Sequence, residues 1–394
     1  MRIVLNILET LKPKTGIGHY TARLYAALAR HLPNESLHAF PTGQVAATVR
    51  RWQKSAGGSP TSRPGWLRPF SALKSGLKGT AKRTARAALG SLFRAACRSN
   101  GFDLYHEPNF IPFDCDAPTV ITVHDLSVLL HPEWHPADRV RLYERHFQNG
   151  LSRAAHIITD THFLRDQVHE HLGVARDRVT AVPLGVGNEY GATTTDDIAA
   201  LRRRRKLPER YLLFVGTIEP RKNLAMLIRS YCDLPGALRD TCPLVLAGSW
   251  GWKSDDVAEL YHNEARAKGV HHLGYVADED LPALYAGARA LVYPSLYEGF
   301  GLPPLEMLAS GGAVIASTAD VHREVLGRSA HFLDPNDRTG WRNAMSRAIT
   351  DDAWLAHIRW GGAARAAQFT WDRCAAGTAA VYDSLGAQPK RLAA

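Results

Sequence analysis

The chain has few of the residues that mark small stapled or membrane-embedded proteins. Its 394 residues include five cysteines, Cys97, Cys115, Cys232, Cys242 and Cys374, which are widely spread and form no C-x-x-C pair. Neither a disulfide framework nor a zinc ribbon is suggested, and a reducing compartment is expected. No stretch approaches the roughly 20 apolar residues of a membrane-crossing helix, so any membrane contact is expected to be peripheral. The first ten residues are too short and too polar for a signal-peptide core and read as a buried strand. Eighteen histidines are present, yet none stands in a metal-binding helix motif such as H-E-x-x-H.

Acidic residues are missing from one place in particular. Residues 41–100 contain 12 Lys and Arg and no Asp or Glu, whereas the other 334 residues hold 36 basic against 38 acidic. The formal charge of +10 is therefore local, which argues against a globally basic nucleic-acid-binding protein. Within this stretch, residues 55–69 are rich in Gly, Ser and Pro. Phe70, Leu73, Leu77, Leu89, Leu92, Phe93 and Ala96 then recur at helical spacing, with Lys74, Lys78, Lys82 and Arg86 every four residues. One apolar stripe beside one basic stripe fits either an interfacial helix on anionic lipid or a surface helix packed on its own domain with solvated lysines.

Elsewhere short apolar runs alternate with helical patterns: Arg2–Ile7, Asp103–His106, Thr119–His124, His156–Thr159 and Val179–Pro183, then Tyr211–Val215, Leu244–Gly248, His271–Val276, Ala290–Pro294 and Ala313–Ser317. Alternation of this kind predicts α/β architecture: two Rossmann-like doubly wound domains with parallel sheets facing an interdomain cleft. The expected boundaries are an N-terminal domain 1–185 carrying the insert 41–100, a linker 186–208, a second domain 209–370, and a C-terminal helix and tail 371–394 packing back toward the first domain. The run Arg202–Lys206 reads as a solvated linker or helix face.

Three motifs can carry chemistry. Gly16 and Gly18 lie between the first strand and first helix, where backbone amides can receive phosphate. The third glycine of a dinucleotide fingerprint is missing, which argues against a nicotinamide dehydrogenase. Gly216-Thr217-Ile218-Glu219-Pro220-Arg221-Lys222 follows the strand that opens the second domain, and two cations beside a helix start suit a diphosphate. Glu298-Gly299-Phe300-Gly301-Leu302-Pro303-Pro304-Leu305-Glu306 follows Tyr293-Pro294-Ser295. Its glycines place amides near Glu298, a proline suits the helix start, and Glu306 falls a turn inside.

The last motif, with Lys222 upstream and the N-terminal Gly-x-Gly loop, resembles the retaining family 4 glycosyltransferases of the GT-B fold. Glu219-Pro220-Arg221-Lys222-Asn223 and Val123-His124-Asp125-Leu126-Ser127 resemble a branch that includes bacterial O-antigen and exopolysaccharide mannosyltransferases. The resemblance implies that Glu298 binds sugar hydroxyls, Glu306 the ribose, Lys222 the diphosphate, and the amides of Phe300, Gly301 and Leu302 the sugar or diphosphate. It places His124 near donor sugar and acceptor, with Asp125 orienting it, and brings Tyr275 and Val276 to the base. Where the family often has an arginine this chain has Thr217, and Arg221 is expected to compensate.

The implied reaction moves a hexose, mannose from GDP-mannose, with retention, onto a lipid-linked saccharide of O-antigen, lipopolysaccharide or exopolysaccharide at the cytoplasmic face of the inner membrane. The nucleotide sugar is a substrate. No cofactor, metal or nucleic-acid partner is expected, and an anionic membrane surface is. Asp114-Cys115-Asp116 spells the D-x-D metal motif of the other glycosyltransferase fold but precedes its strand, and Asp278-Glu279-Asp280 reads as a helix N-cap. Competing readings are a UDP- or ADP-sugar transferase acting on a soluble acceptor, a catalytically silent binding protein of this fold, and a nucleotide-sugar epimerase.

Overall fold

The structure is a computed structural model that describes residues 1–11, 16–56 and 71–386, with the side chains of 52–56 and 71–83 outside the described residues. The first parallel sheet contains β1 (Ile3–Asn6), β2 (Leu37–Phe40), β3 (Leu104–Glu107), β4 (Thr119–Val123), β5 (Ala154–Thr159) and β6 (Val179–Ala181), in the order β2-β1-β3-β4-β5-β6. The second contains β7 (Leu212–Val215), β8 (Leu244–Ala247), β9 (Val270–Gly274), β10 (Ala290–Tyr293), β11 (Val314–Ser317) and β12 (His331–Leu333), in the order β12-β11-β10-β7-β8-β9. Central strands such as Leu-Val-Leu-Ala of β8 and Ala-Leu-Val-Tyr of β10 are buried along their whole length. That burial follows from helices covering both faces of a parallel sheet, and it explains why these runs are apolar throughout rather than alternating.

The strand order of the second sheet reverses at β7. From β7 the chain leaves to β8 on one side and later returns to β10 on the other. Open α/β sheets bind ligands beyond the carboxyl ends of the strands at such a reversal. Residues 216–222 follow β7 and residues 294–298 follow β10, so both motifs leave the sheet at this point.

The chain divides into two compact units: one of Met1–Val123, His146–Ile158 and Ala375–Ala394, the other of His124–Arg145 and Thr159–Cys374. In the first unit the described part of the basic segment holds a helix at Gly43–Ala56 and a longer continuous one at Ser71–Asn100. Its C-terminal half enters the core: Phe93 is fully buried among Val4, Phe40, Tyr105 and Phe113, with Leu89 and Cys97 packed alongside, while Leu92 stays half exposed. Lys74, Lys78 and Lys82 have side chains outside the described residues. Arg86 does not join a solvent-facing stripe. It donates to the Ile111 carbonyl at 2.6 Å and lies 4.8 Å over the Phe113 ring. The D-x-D spelling is likewise engaged in surface ion pairing, Asp114 meeting Arg94 and Arg153.

In the second unit the arginine run belongs to the helix Thr195–Arg205, which opens with a capping box between Thr194 and Asp197. The run is only partly solvated, because Arg204 and Arg205 both pair with Asp280. Asp280 does stand at a helix N-cap position, but its side chain bonds no helix amide. Its carboxylate holds the two arginines instead.

Candidate active site

Glu298 is the hub of the second unit's site. Its carboxylate is buried and sits between two cations: Arg221 Nη1 reaches Oε2 at 2.7 Å, and Lys222 Nζ donates to Oε1. The Tyr293 hydroxyl donates to Oε1 at 3.0 Å and lies 2.8 Å from Lys222 Nζ, whose charge also sits 5.1 Å from the Tyr293 ring. Arg221 closes a further pair with Glu219 at 2.7 Å and donates to the Tyr297 carbonyl. The assembly rests on backbone: Pro220–Lys222 is a single 3-10 turn ended by Asn223 at φ 56, and the Leu296 amide donates to the Arg221 carbonyl. Two strand-end turns are thereby tied together, 76 residues apart in the Lys222–Glu298 pair.

The electrostatics follow from burial and proximity. Burial alone would raise the Glu298 carboxyl, but Arg221 and Lys222 outweigh it and hold it well below the usual carboxylate range. Lys222 is lowered, first by burial and then by the neighbouring Arg221 charge. Arg221 moves up despite burial because Glu298, Glu219 and Asp125 surround it. The two cations and the two carboxylates Glu219 and Glu298 sum to zero.

Glu306 has the opposite environment. It lies in the helix Leu302–Ala309, accepts from the Tyr285 hydroxyl at 2.8 Å, and is raised by burial against the hydrogen bonds of Tyr285 and Tyr190. The two glutamates, eight positions apart, are thus set to different protonation behaviour. Gly301 caps this helix at φ 89, a left-handed conformation natural to glycine, and Pro303 and Pro304 occupy its first turn. Prolines carry no N–H, so the backbone donors left at this helix start are those of Phe300, Gly301 and Leu302. Phe300 is buried with its ring against Phe369.

His124 opens the second unit's share of the chain directly after β4. Its Nδ1–H donates to Asp160 Oδ2 at 2.8 Å, and Asp160 follows the adjacent strand β5. The expected orienter, Asp125, does something else: it accepts from the Ser127 amide and hydroxyl at 2.9 and 2.6 Å and is lowered, against burial, by Arg221. Asp160 therefore replaces Asp125 as the carboxylate that fixes the histidine ring. Within the second unit the loop of Glu298 approaches His124 and Thr161 closely. A Cβ at Gly299 would lie 1.6 Å from the His124 carbonyl oxygen, and the Thr161 hydroxyl donates to the Gly299 carbonyl.

The remaining expected residues are more dispersed. Thr217 is exposed after β7. Gly274 ends β9 at φ 68, leaving Tyr275 about half exposed at 53% and Val276 buried. Gly16 and Gly18 form the first turn of the helix Gly16–His31 in the first unit. Sequence reasoning gave no role to Tyr293, Glu219, Asp160 or His322. His322 is fully buried, donates Nδ1–H to the Ser317 carbonyl at 3.1 Å, sets its ring 5.6 Å from Tyr293, and has no protein partner at Nε2. The local signals for Tyr293 are a phenol at the end of an otherwise aliphatic strand and its place in Tyr293-Pro294-Ser295, just ahead of the Glu298 motif.

Comparison with known proteins decides what this arrangement belongs to. Residues 15–189 match the model described as Glycosyltransferase Family 4 and residues 198–366 the model described as Glycosyl transferases group 1. The O-antigen chain mannosyltransferase B of Escherichia coli is 33% identical over 387 residues, covering 98% of this chain and 100% of the relative. The chain belongs to the family 4 glycosyltransferases. Another relative, the serotype-specific mannosyltransferase WbdA of Escherichia coli, is 32% identical over 64% of this chain, which spans 32% of that longer protein. The sucrose-phosphate synthase structure from Thermosynechococcus elongatus has a TM-score of 0.69 at 20% identity, covering 98% and 99% of the two chains. The fold is GT-B, as the resemblance implies, and its two parallel sheets follow the expected strand pattern. Within this glycosyltransferase, the Glu298 cluster lies beyond the carboxyl ends of β7 and β10.

Proposed function

We propose that the enzyme transfers mannose from GDP-mannose, with retention, to a lipid-linked saccharide during bacterial surface polysaccharide synthesis. The observation that carries this reading is the buried contact of Glu298 with both Arg221 and Lys222. The mannosyltransferase names of the full-length relative and of WbdA support the sugar. A departing diphosphate needs positive charge at its oxygens, and Arg221 offers a fork while Lys222 offers a compact ammonium. In the resting site both cations are neutralised. An incoming diphosphate takes them over, which releases the Glu298 oxygens to accept sugar hydroxyls. Binding of the donor thereby assembles the carboxylate that positions it, a contribution of orientation and charge rather than of a nucleophile.

Retention follows if the leaving phosphate oxygen itself takes the acceptor proton on the same face. The two cations would serve there without a metal. Glu306, raised and paired with Tyr285, would meet the ribose. His124, held by Asp160, would stand near the sugar and acceptor, with Tyr275 and Val276 toward the base and the Gly16–Gly18 amides adding phosphate donors. Lys74, Lys78 and Lys82 would bring the protein to anionic lipid, without Arg86.

The test is a donor panel of GDP-mannose, UDP-glucose and ADP-glucose with a lipid-linked saccharide acceptor, with product stereochemistry read by NMR. Transfer from GDP-mannose giving an α-linkage is expected. Preference for UDP- or ADP-sugars, or an inverted product, would overturn the proposal.

A further inference from the structure

The cations assigned to the donor follow the carboxyl ends of β7 and β10. A separate group precedes the amino ends of the same strands. Arg210 lies just before β7 and Arg289 immediately before β10. With Arg202, Arg359 and Glu209 they line a cleft of about 300 Å³. Each strand is four residues long, so about 13 Å of sheet separates this cleft from the Glu298 cluster.

The guanidinium groups are held in place by main-chain carbonyls. Arg289 Nε donates to Ala348 at 2.8 Å, Arg210 to Ile349 at 2.7 Å, and Arg359 to the Arg289 carbonyl at 3.2 Å, while Arg202 donates to the Glu209 carbonyl. These bonds use few of the five N–H donors on each group. Arg202 Nε is buried with no partner. The carboxylates at hand are Glu209 in the lining and Asp352, which pairs with Arg289 from a side chain 83% exposed. Four positive charges against two negative leave +2.

We propose that this cleft binds a phosphate-type anion, at a site distinct from the donor site. Guanidinium forks already fixed by carbonyls match the several oxygens of a phosphate group. The volume lies at the small end of ligand sites and suits a phosphate headgroup rather than a whole nucleotide sugar. The anion has two possible sources, free phosphate or an anionic lipid headgroup. Trp360, 84% exposed beside Arg359, is a side chain of the kind that settles at a membrane–water boundary.

The experiment compares the full-length protein with R202Q/R359Q in two arms. In the first, inorganic phosphate and pyrophosphate are titrated at constant ionic strength by calorimetry. The double variant should lose one class of sites, with affinity weakened roughly tenfold or more per guanidinium, while anion binding at the distant Lys222 cluster is unaffected. In the second, sedimentation uses vesicles of phosphatidylglycerol in phosphatidylcholine against phosphatidylcholine alone. A lipid source is assigned if the anionic vesicles bind the wild type and lose both R202Q/R359Q and W360A. A free-phosphate source is assigned if only the first arm responds. Melting temperature and transfer activity monitor folding, and R359Q alone, at an exposed residue, serves if the double variant unfolds. Identical affinity of folded variant and wild type in both arms, or no binding of any probe, overturns the proposal. The donor panel can fail without touching this result, because it reads the other end of the strands.

Discussion

Glu298→Gln is the most informative single change, because it keeps the shape of the side chain and removes the one charge lying between Arg221 and Lys222. A glutamine can still accept from one cation, but its NH2 then faces the donors of the other. Breaking a buried ion pair by neutralising one partner costs about 3–5 kcal/mol, most of it the cost of the charge left behind. Lys222 offers the relief, since its pKa is already lowered and losing Glu298 lowers it further. Between that folded value and the ordinary lysine value the folded state binds fewer protons than the unfolded, so stability rises with pH across the window. The window should open at lower pH in the variant than in wild type. Urea denaturation followed by tryptophan fluorescence from pH 6 to 10 measures both effects, and transfer from the donor should fall roughly 10²-fold or more. A variant within about 1 kcal/mol of wild type at pH 7, with no earlier alkaline rise, would refute the account of Glu298 as the neutralising centre.

Three further expectations come from other contacts. Gly299→Ala drives a methyl group into the His124 carbonyl, and since neither backbone can yield cheaply it should cost about 1–3 kcal/mol and lower transfer through displacement of the Glu298 loop, read by melting temperature and kcat. Asp160→Asn should reduce kcat roughly 10²-fold by misorienting His124, whereas Asp125→Ala should mainly cost about 1 kcal/mol through its lost turn bonds to Ser127; equal kinetic effects would remove the distinction between them. In the first unit, Glu107 is bonded by Asn6 and Tyr105, and burial pushes its carboxyl from 4.5 up to about 7. The folded state then binds more protons than the unfolded between those values, so stability should fall by about 3 kcal/mol as pH rises from 4.5 to 7 and stay flat above, with the slope absent in Glu107→Gln.

What could be read from sequence was whatever the chain fixes locally. Fully apolar runs such as Leu212–Val215 and Ala290–Tyr293 announced central parallel strands, and motifs beginning within a few residues of those strands had to lie at their carboxyl ends. That is why Arg221, Lys222 and Glu298 were found together. The Glu298–Glu306 spacing placed the second carboxylate inside a helix, but not against Tyr285, which comes from another helix. Asp160 escaped notice because its contact with His124 depends on β4 and β5 being neighbours, and nothing near either residue records that adjacency. Asp125, the orienter implied by the resemblance, turns to Ser127 instead.

Charge compensation shows the same limit more sharply. Arg221 and Lys222 stood out as cations awaiting a phosphate, yet each is met by a buried carboxylate, and with Glu219 the cluster is neutral at rest. The run at Arg202–Lys206 read as solvated, yet Arg204 and Arg205 are tied to Asp280 while Arg202 joins three arginines from other segments in a cleft that keeps a net +2. Glu219 sits two positions from Arg221, but other cancelling charges arrive from 70 or more positions away, as Glu298 does for Lys222 and Asp280 for Arg204. On the proposed reading the Glu298 cluster exchanges its carboxylate for the donor's phosphates, whereas the cleft at the other end of the same strands is already unbalanced and needs no such exchange before an anion can bind.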